Sequence, residues 1–442
     1  MPELAFTKVR LVARDGHEIR LAALSYATDS HRAVVAVVQG GMAAGEYTVF
    51  WQMAGDDGHV IREQFEFVIA PGATGTSSPI GGVPEASSAA AMQDTMAGGA
   101  HHDPASMPEG KGFGSESPLY VLIRWIQYAS ILLIIGAISF RYLVLGFLRR
   151  DPLSEGEAAE PAFAADAERS AARIAHGAVG VLGLTLLLRL AAQSFAMHGV
   201  ADFFNGGLVG AMIVKTMWGW GWLIQLLGVV IAGVGFHRAR GNGMDRSQRG
   251  SASAEISTWW AIAAIGALIA AFSPAFSGHA ASAPRLRALA VLADGIHVLG
   301  ASSWLGVLAL VLLAGLPAVK RQAADVRGPL TRSLVNAFSP VALASAGVAT
   351  TTGVFAAWIH VGTIPNLWGT RYGITLLIKL TVLGVVALTG FYNWRFVKPR
   401  LGTTEASAHL ERSARVEVAV AVIVLLVTAV LVASPTSMDM TM

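Results

Sequence analysis

Cysteine is absent from all 442 residues. That excludes disulfides and thiolate metal sites together, so any metal held by this chain must be taken by His, Met, Asp or Glu. Charge is scarce: 14% of residues are charged against 54% hydrophobic, a balance that soluble domains rarely show. No Walker phosphate loop is present, which argues against ATP hydrolysis by this chain. The opening MPELAFTKVRLVARDG lacks a positive start followed by an apolar core, so no secretory leader is expected within it.

The scarcity of charge is uneven. Residues 1–117 are mixed and polar, whereas 118–435 hold repeated apolar runs of about 20 residues, the length a helix needs to cross a bilayer. The expected fold is a mainly α membrane protein, an eight-helix transmembrane bundle with a small N-terminal all-β domain of immunoglobulin- or cupredoxin-like sandwich type. In residues 1–70 the stretches AFTKVRLV, EIRLAAL, AVVAVVQ, GEYTVFWQM and VIREQFEFVI are rich in β-branched and aromatic residues and are separated by turns such as Asp56-Asp57-Gly58. Five strands are short for a sandwich and leave an edge to be paired. Residues 71–117 read as a Gly/Ser/Met/His linker unable to build a core, 118–435 as the membrane domain and 436–442 as a Met-rich tail.

Eight spans are expected at 118–146, 172–198, 214–237, 256–276, 286–316, 334–361, 372–397 and 413–434. Lys and Arg concentrate in the connections after the first, third, fifth and seventh spans, including HRARGNGMDRSQRG and the stretch holding Lys320, Arg321, Arg327 and Arg332. The positive-inside rule assigns those connections to the cytoplasm and leaves both termini outside it. The basic excess is therefore a topology signal, and no nucleic-acid partner is expected.

The histidines fall into a pattern on that topology. His198, His279 and His360 sit at the external ends of the second, fourth and sixth spans, whereas Asp294 and His297 lie inside the fifth, in DGIHVLGASSWLG. At 1.5 Å per residue from Arg287, Asp294 is about 10 Å deep and His297 about 15 Å. Ionisable groups at that depth are costly and mark function by default. Met438, Met440 and Met442 add thioethers at the external C-terminus. Imidazole and thioether together suit copper better than calcium or magnesium. Each residue also has a plain reading: interfacial histidines with one hydrogen bond, a structural Asp294/His297 contact, a loose Met-rich end. Arg189 and Lys379 lie at depths similar to Asp294, and either could compete for its carboxylate. His176, His237 and His409 fall on the cytoplasmic side and read as isolated, solvated residues.

Two resemblances follow from longer patterns. GEYTVFWQMAGDDGHVIREQFEFVI is similar to the closing strands of CopC, a periplasmic copper-binding β-sandwich. SGHA at 277–280, DGIHVLGASSWLG, FSPVALASAGVATTTGVFAAW, YGITLLIKL and Asn393 resemble CopD, a polytopic inner-membrane copper protein. The layout is that of a CopC–CopD fusion, and the resemblance implies periplasmic capture of copper and its delivery across or into the inner membrane. Asp57 and His59 match the Asp-Gly-His ligands for Cu(II); the N-terminal histidine of that family has no counterpart here, because the chain opens inside what resembles the third strand.

The leading expectation is a non-enzymatic inner-membrane copper transporter that imports copper, as Cu(I) or Cu(II), through a ladder of His198, His279, Asp294, His297 and His360 supplied by Asp57, His59 and the C-terminal methionines. Its partners are the copper ion, the lipid bilayer and periplasmic copper chaperones. Two rivals stay open: a haem-binding electron-transfer protein, with His176 and His198 on one helix as haem ligands, and a membrane-anchored copper buffer that does not transport.

Overall fold

The computed structural model describes residues 4–27, 30–54, 60–70, 117–150, 159–241, 252–276, 286–398 and 404–434. They fall into two compact units, one of strands and one of helices.

The strand unit holds β1 (Lys8–Ala13), β2 (Glu18–Ile19), β3 (Ser25–Ala27), β4 (Ser30–Val35), β5 (Gly45–Ala54) and β6 (Val60–Ile69). One sheet runs β2-β1-β5-β6 and a second pairs β3 with β4. All pairs are antiparallel, with β5 and β6 in register from Gly45↔Ile69 to Ala54↔Val60. Among the described residues six strands thus replace the expected five: Ser25–Ala27, outside every expected stretch, forms β3, and EIRLAAL is a strand only at Glu18 and Ile19. Glu18 and Ile19 pair with β1. The backbone then changes partner: Ala22 N–H donates to Val37 O at 2.7 Å and Gln39 N–H to Arg20 O at 2.9 Å. Apolar content marks residues able to pair and leaves the choice of partner to the fold. The core is small, built on Phe6, Leu11 and Tyr47. The Tyr47 ring stacks on Phe67 at 5.6 Å and its hydroxyl donates to Ala43 O at 2.9 Å. On the exposed face Arg10 donates to both carboxylate oxygens of Glu18, at 3.0 and 3.2 Å. Those hydrogen bonds, then the guanidinium charge, hold the Glu18 carboxyl below its ordinary value.

The helical unit contains eight helices long and apolar enough to cross a membrane: α1 (Pro118–Leu148), α2 (Ala162–His198), α4 (Met217–Arg240), α5 (Ser257–Phe276), α6 (Arg287–Lys320), α7 (Arg327–Val361), α8 (Arg371–Val397) and α9 (His409–Ala433), with a shorter apolar helix, α3 (Gly206–Lys215), before α4. Most run several residues past the expected spans, since a helix continues into its polar flanks while hydropathy stops at the apolar edge. Ser117 caps α1 by accepting from Tyr120 N–H at 3.3 Å, with Pro118 at the first helical position. Thr370 caps α8 in the same way through Gly373 N–H.

Among the described residues, basic groups at the ends of α1 and α6 meet acidic partners at one end of this unit. Glu168 at the start of α2 accepts from Arg141 of α1 at 2.7 Å and from Arg149 just after α1 at 2.5 Å. Arg321 donates to Asp166 at 2.5 Å and Lys320 to Glu411 at 2.7 Å. At the other end Tyr120 Oη donates to Gln193 at 2.9 Å, which joins the start of α1 to the end of α2. The leucines and valines left outward on α7 and α8, such as Leu343, Val348 and Leu388, are the face a spanning helix offers to lipid.

Lipid tails give helices no hydrophobic reason to associate, so close backbone packing must do it. α1 and α6 cross at Gly136 and Gly306: a Cβ at Gly306 would lie 2.3 Å from Leu132 O and 2.9 Å from Gly136 Cα. Ser139 and Ser303 share a hydrogen bond of 2.9 Å beside the crossing. In α6 the regular ladder is interrupted twice by π-helical turns, at Ser302–Gly306 and Val311–Gly315. The first opens one turn beyond His297, in the kind of distortion that often accompanies function.

Candidate functional site

α6, α7 and α8 enclose, with flanking residues of α1, α5 and α9, a cavity of about 330 Å³. Its polar lining comes from Tyr128, Asp294, His297, His360, Tyr372 and Lys379; Leu305, Phe355, Leu376 and Leu425 supply apolar walls. Asp294 and His297 are three residues apart and share one face of α6. Lys379 is eight residues into α8, about 12 Å along its axis, close to the depth of Asp294. His360 and Tyr372 stand at the adjoining ends of α7 and α8, with ring centroids 6.3 Å apart. The lining thus runs from helix ends to mid-bundle.

His297 is oriented by backbone. Its Nδ1 lies 2.8 Å from Ala349 O and 3.2 Å from Thr352 Oγ1 on α7. A carbonyl oxygen only accepts, so Nδ1 carries the proton, and in the neutral ring the lone pair is on Nε2. That is how metal-binding histidines are commonly held, one nitrogen donating to a fixed acceptor and the other left for the ion. The contact depends on small residues. A Cβ at Gly300 would come within 3.0 Å of Ala349 N, so the missing side chain lets α6 and α7 approach. A Cβ at Gly353 would lie 3.1 Å from His297 Cε1, so that glycine leaves the space the imidazole fills.

Asp294 takes Lys379 as its electrostatic partner, and Lys379 acts on His297 as well. Arg189, the rival suggested by depth, lies instead over the Trp218 ring at 5.2 Å. A carboxylate in the same cavity offsets part of the repulsion that a lone lysine would impose on an entering cation.

Of the sequence-derived ligands, the cavity brings together Asp294, His297 and His360. His198 is not among its lining residues: it is buried at the end of α2, 3.1 Å from Ser194 Oγ, whose hydroxyl donates to Phe203 O at 2.7 Å. Asp57, His59, His279, Met438, Met440 and Met442 lie outside the described residues. No group of three or more His, Asp or Glu with metal-binding spacing occurs among the described residues. Tyr128, Tyr372 and the Ala349 carbonyl escaped the sequence reading. Tyr372, at the outer end of its span next in order after His360, was within reach of the depth argument; a backbone acceptor leaves no residue-type signal.

Comparison with known proteins bears on this arrangement. Three protein-family models match in chain order: the CopC domain at residues 2–70, the copper resistance protein D-like N-terminal domain at 115–285, and copper resistance protein D at 332–431. The stretch holding Asp294 and His297 falls between the last two. Copper transport protein CutJ of Bacillus subtilis (strain 168) is 27% identical over 266 residues, 60% of this chain and 46% of that protein. The chain thus spans less than half the length of this curated relative. No solved structure matches. The helical unit has eight helices long and apolar enough to cross a membrane, seven of them reached by the two CopD models, and the three models match in the order of a CopC–CopD fusion, so this is a multi-pass membrane protein with the CopC–CopD fusion layout.

Proposed function

We propose that the protein carries copper inward across the bacterial inner membrane, through the cavity lined by His360, Asp294 and His297. The observation that carries this reading is the anchored imidazole of His297, its Nδ1 tied to Ala349 O at 2.8 Å in a cavity that also holds a carboxylate and a second histidine. Copper arrives at the outer helix ends, meets His360, and is passed to His297 beside Asp294. His279, between α5 and α6, and Met438, Met440 and Met442 collect the ion at the mouth, and Asp57 and His59 hold it in the CopC domain. His198, buried at the end of α2 and outside the cavity lining, is left off the route. The N- and C-termini face the periplasm, where copper chaperones supply the ion. Without a nucleotide site, the membrane potential is sufficient drive: moving one positive charge inward gains about 2.3 kcal/mol per 100 mV.

Copper uptake into proteoliposomes tests the reading. His297→Ala and Asp294→Ala are expected to lower the initial rate at least tenfold while the protein still elutes as a folded species. Uptake at the unaltered rate in both variants overturns the route. Binding without uptake by the unaltered protein overturns transport and leaves a membrane-anchored copper buffer.

A further inference from the structure

Away from the cavity, at the arginine-rich end of the bundle, two histidines that read as isolated in the sequence are neighbours. His176 of α2 and His237 of α4 have ring centroids 5.6 Å apart, inclined at 49°. His176 Nδ1 is buried and has no hydrogen-bond partner among the described residues. His237 is exposed. A buried imidazole nitrogen with nothing to donate to or accept from is costly unless a ligand completes it.

The pair ends a tightly packed seam. On α2, positions 176, 179 and 183 share one stripe, as do 237, 233 and 229 on α4. Along it a Cβ at Gly233 would lie 3.4 Å from Val179 Cγ1, and one at Gly183 3.7 Å from Val229 Cγ1. One turn from the histidines the space between the helices at these positions takes little more than a methyl group. A flat macrocycle such as haem cannot enter there without parting the helices, whereas a bare ion is small enough to lie between two rings. Two imidazoles sharing one ion through bonds of about 2 Å each hold their centroids roughly 5–6 Å apart, so little movement is required.

We infer that His176 and His237 form a second metal site that takes monovalent copper between two imidazoles. Zinc in a structural site requires four ligands. Among the described residues no third His, Asp or Glu joins this pair. A closed-shell Cu(I) ion accepts a two-coordinate geometry, and imidazole is a copper ligand. Charge points the same way. Arg240 acts electrostatically on His176. A monovalent ion meets half the repulsion from that guanidinium that a divalent one would. The site does not depend on transport through the outer cavity; if that reading holds, it is where copper waits on the side it is delivered to.

Anaerobic titration of the full chain in nanodiscs with Cu(I), against a chromophoric Cu(I) chelator, tests the site. His237 is exposed, so His237→Ala removes a ligand without disturbing packing. His237→Ala and His176→Ala are each expected to lower the stoichiometry by one ion. His297→Ala should keep that ion, and the difference in copper X-ray absorption between His297→Ala and the His297→Ala, His237→Ala double variant should be that of a two-coordinate ion bound to imidazole. Unchanged stoichiometry in both His176→Ala and His237→Ala overturns the proposal, as does a four-coordinate difference spectrum or equal retention of Zn(II). Loss of the His237-dependent ion with uptake unaffected by His297→Ala supports this site and overturns the outer route; the converse pattern does the reverse.

Discussion

Gly353→Ala probes the central site through a single methyl group. The added Cβ would stand 3.1 Å from His297 Cε1 and 3.4 Å from its Nδ1. Carbon atoms rest about 3.5–4.0 Å apart, so the ring must withdraw by roughly half an ångström. Its hydrogen bond to Ala349 O, now 2.8 Å, then moves toward the outer edge of useful geometry, about 3.2 Å. Such a bond contributes about 0.5–1.5 kcal/mol, and partners that orient a metal-binding histidine are worth about 10–100-fold in affinity. Copper affinity is therefore expected to fall about tenfold, or about 1.4 kcal/mol. Gly347→Ala on the same helix is the control, since a Cβ there meets nothing within 4 Å. Competitive copper titration in a His237→Ala background, with His297→Ala in that background as the blank, reads the cavity ion. Equal affinities for Gly353→Ala and Gly347→Ala, with matching elution profiles, would refute the reasoning that the His297 ring position governs binding.

Two further outcomes follow from the packing and charge. Gly306→Ala places a Cβ 2.3 Å from Leu132 O, a backbone atom that cannot swing aside, so thermal unfolding in detergent should show a loss of about 1–3 kcal/mol; an unchanged midpoint means α1 and α6 do not cross there. Lys379→Met removes the cation opposing metal entry and Asp294→Asn leaves that cation unbalanced, so copper affinity should rise in the first and fall in the second; the opposite order would show that Lys379 serves the site through Asp294's position and not through charge.

The membrane part was legible because its signal is one-dimensional. Apolar runs near the required length, broken by arginine-bearing connections, mark eight spans whatever their mutual packing, and the ion pairs of Glu168, Asp166 and Glu411 bring basic groups at the ends of α1 and α6 to one end accordingly. The β unit was less legible. EIRLAAL carries strand character throughout, yet only Glu18 and Ile19 join β1 before the backbone turns to residues 37–39. Strand pairing is a long-range choice that residue type constrains weakly.

The sequence by itself determined what the chain could be: a chain of membrane spans that, without cysteine, leaves only imidazole, thioether or carboxylate for any metal. Depth counted from helix ends placed Asp294, His297 and His360 at levels the cavity spans, but it chose His198 equally, which is not in the lining. Only tertiary structure decided which groups meet. It set Lys379 rather than Arg189 against Asp294, gave His297 a backbone carbonyl on a different helix, and paired His176 with His237 across a seam of small residues. The physical reason is that depth along a helix follows from residue number, whereas the direction a side chain faces acquires a partner only when neighbouring helices settle their rotation, and that is decided by close contacts such as Gly136 with Gly306 and Gly300 with Ala349.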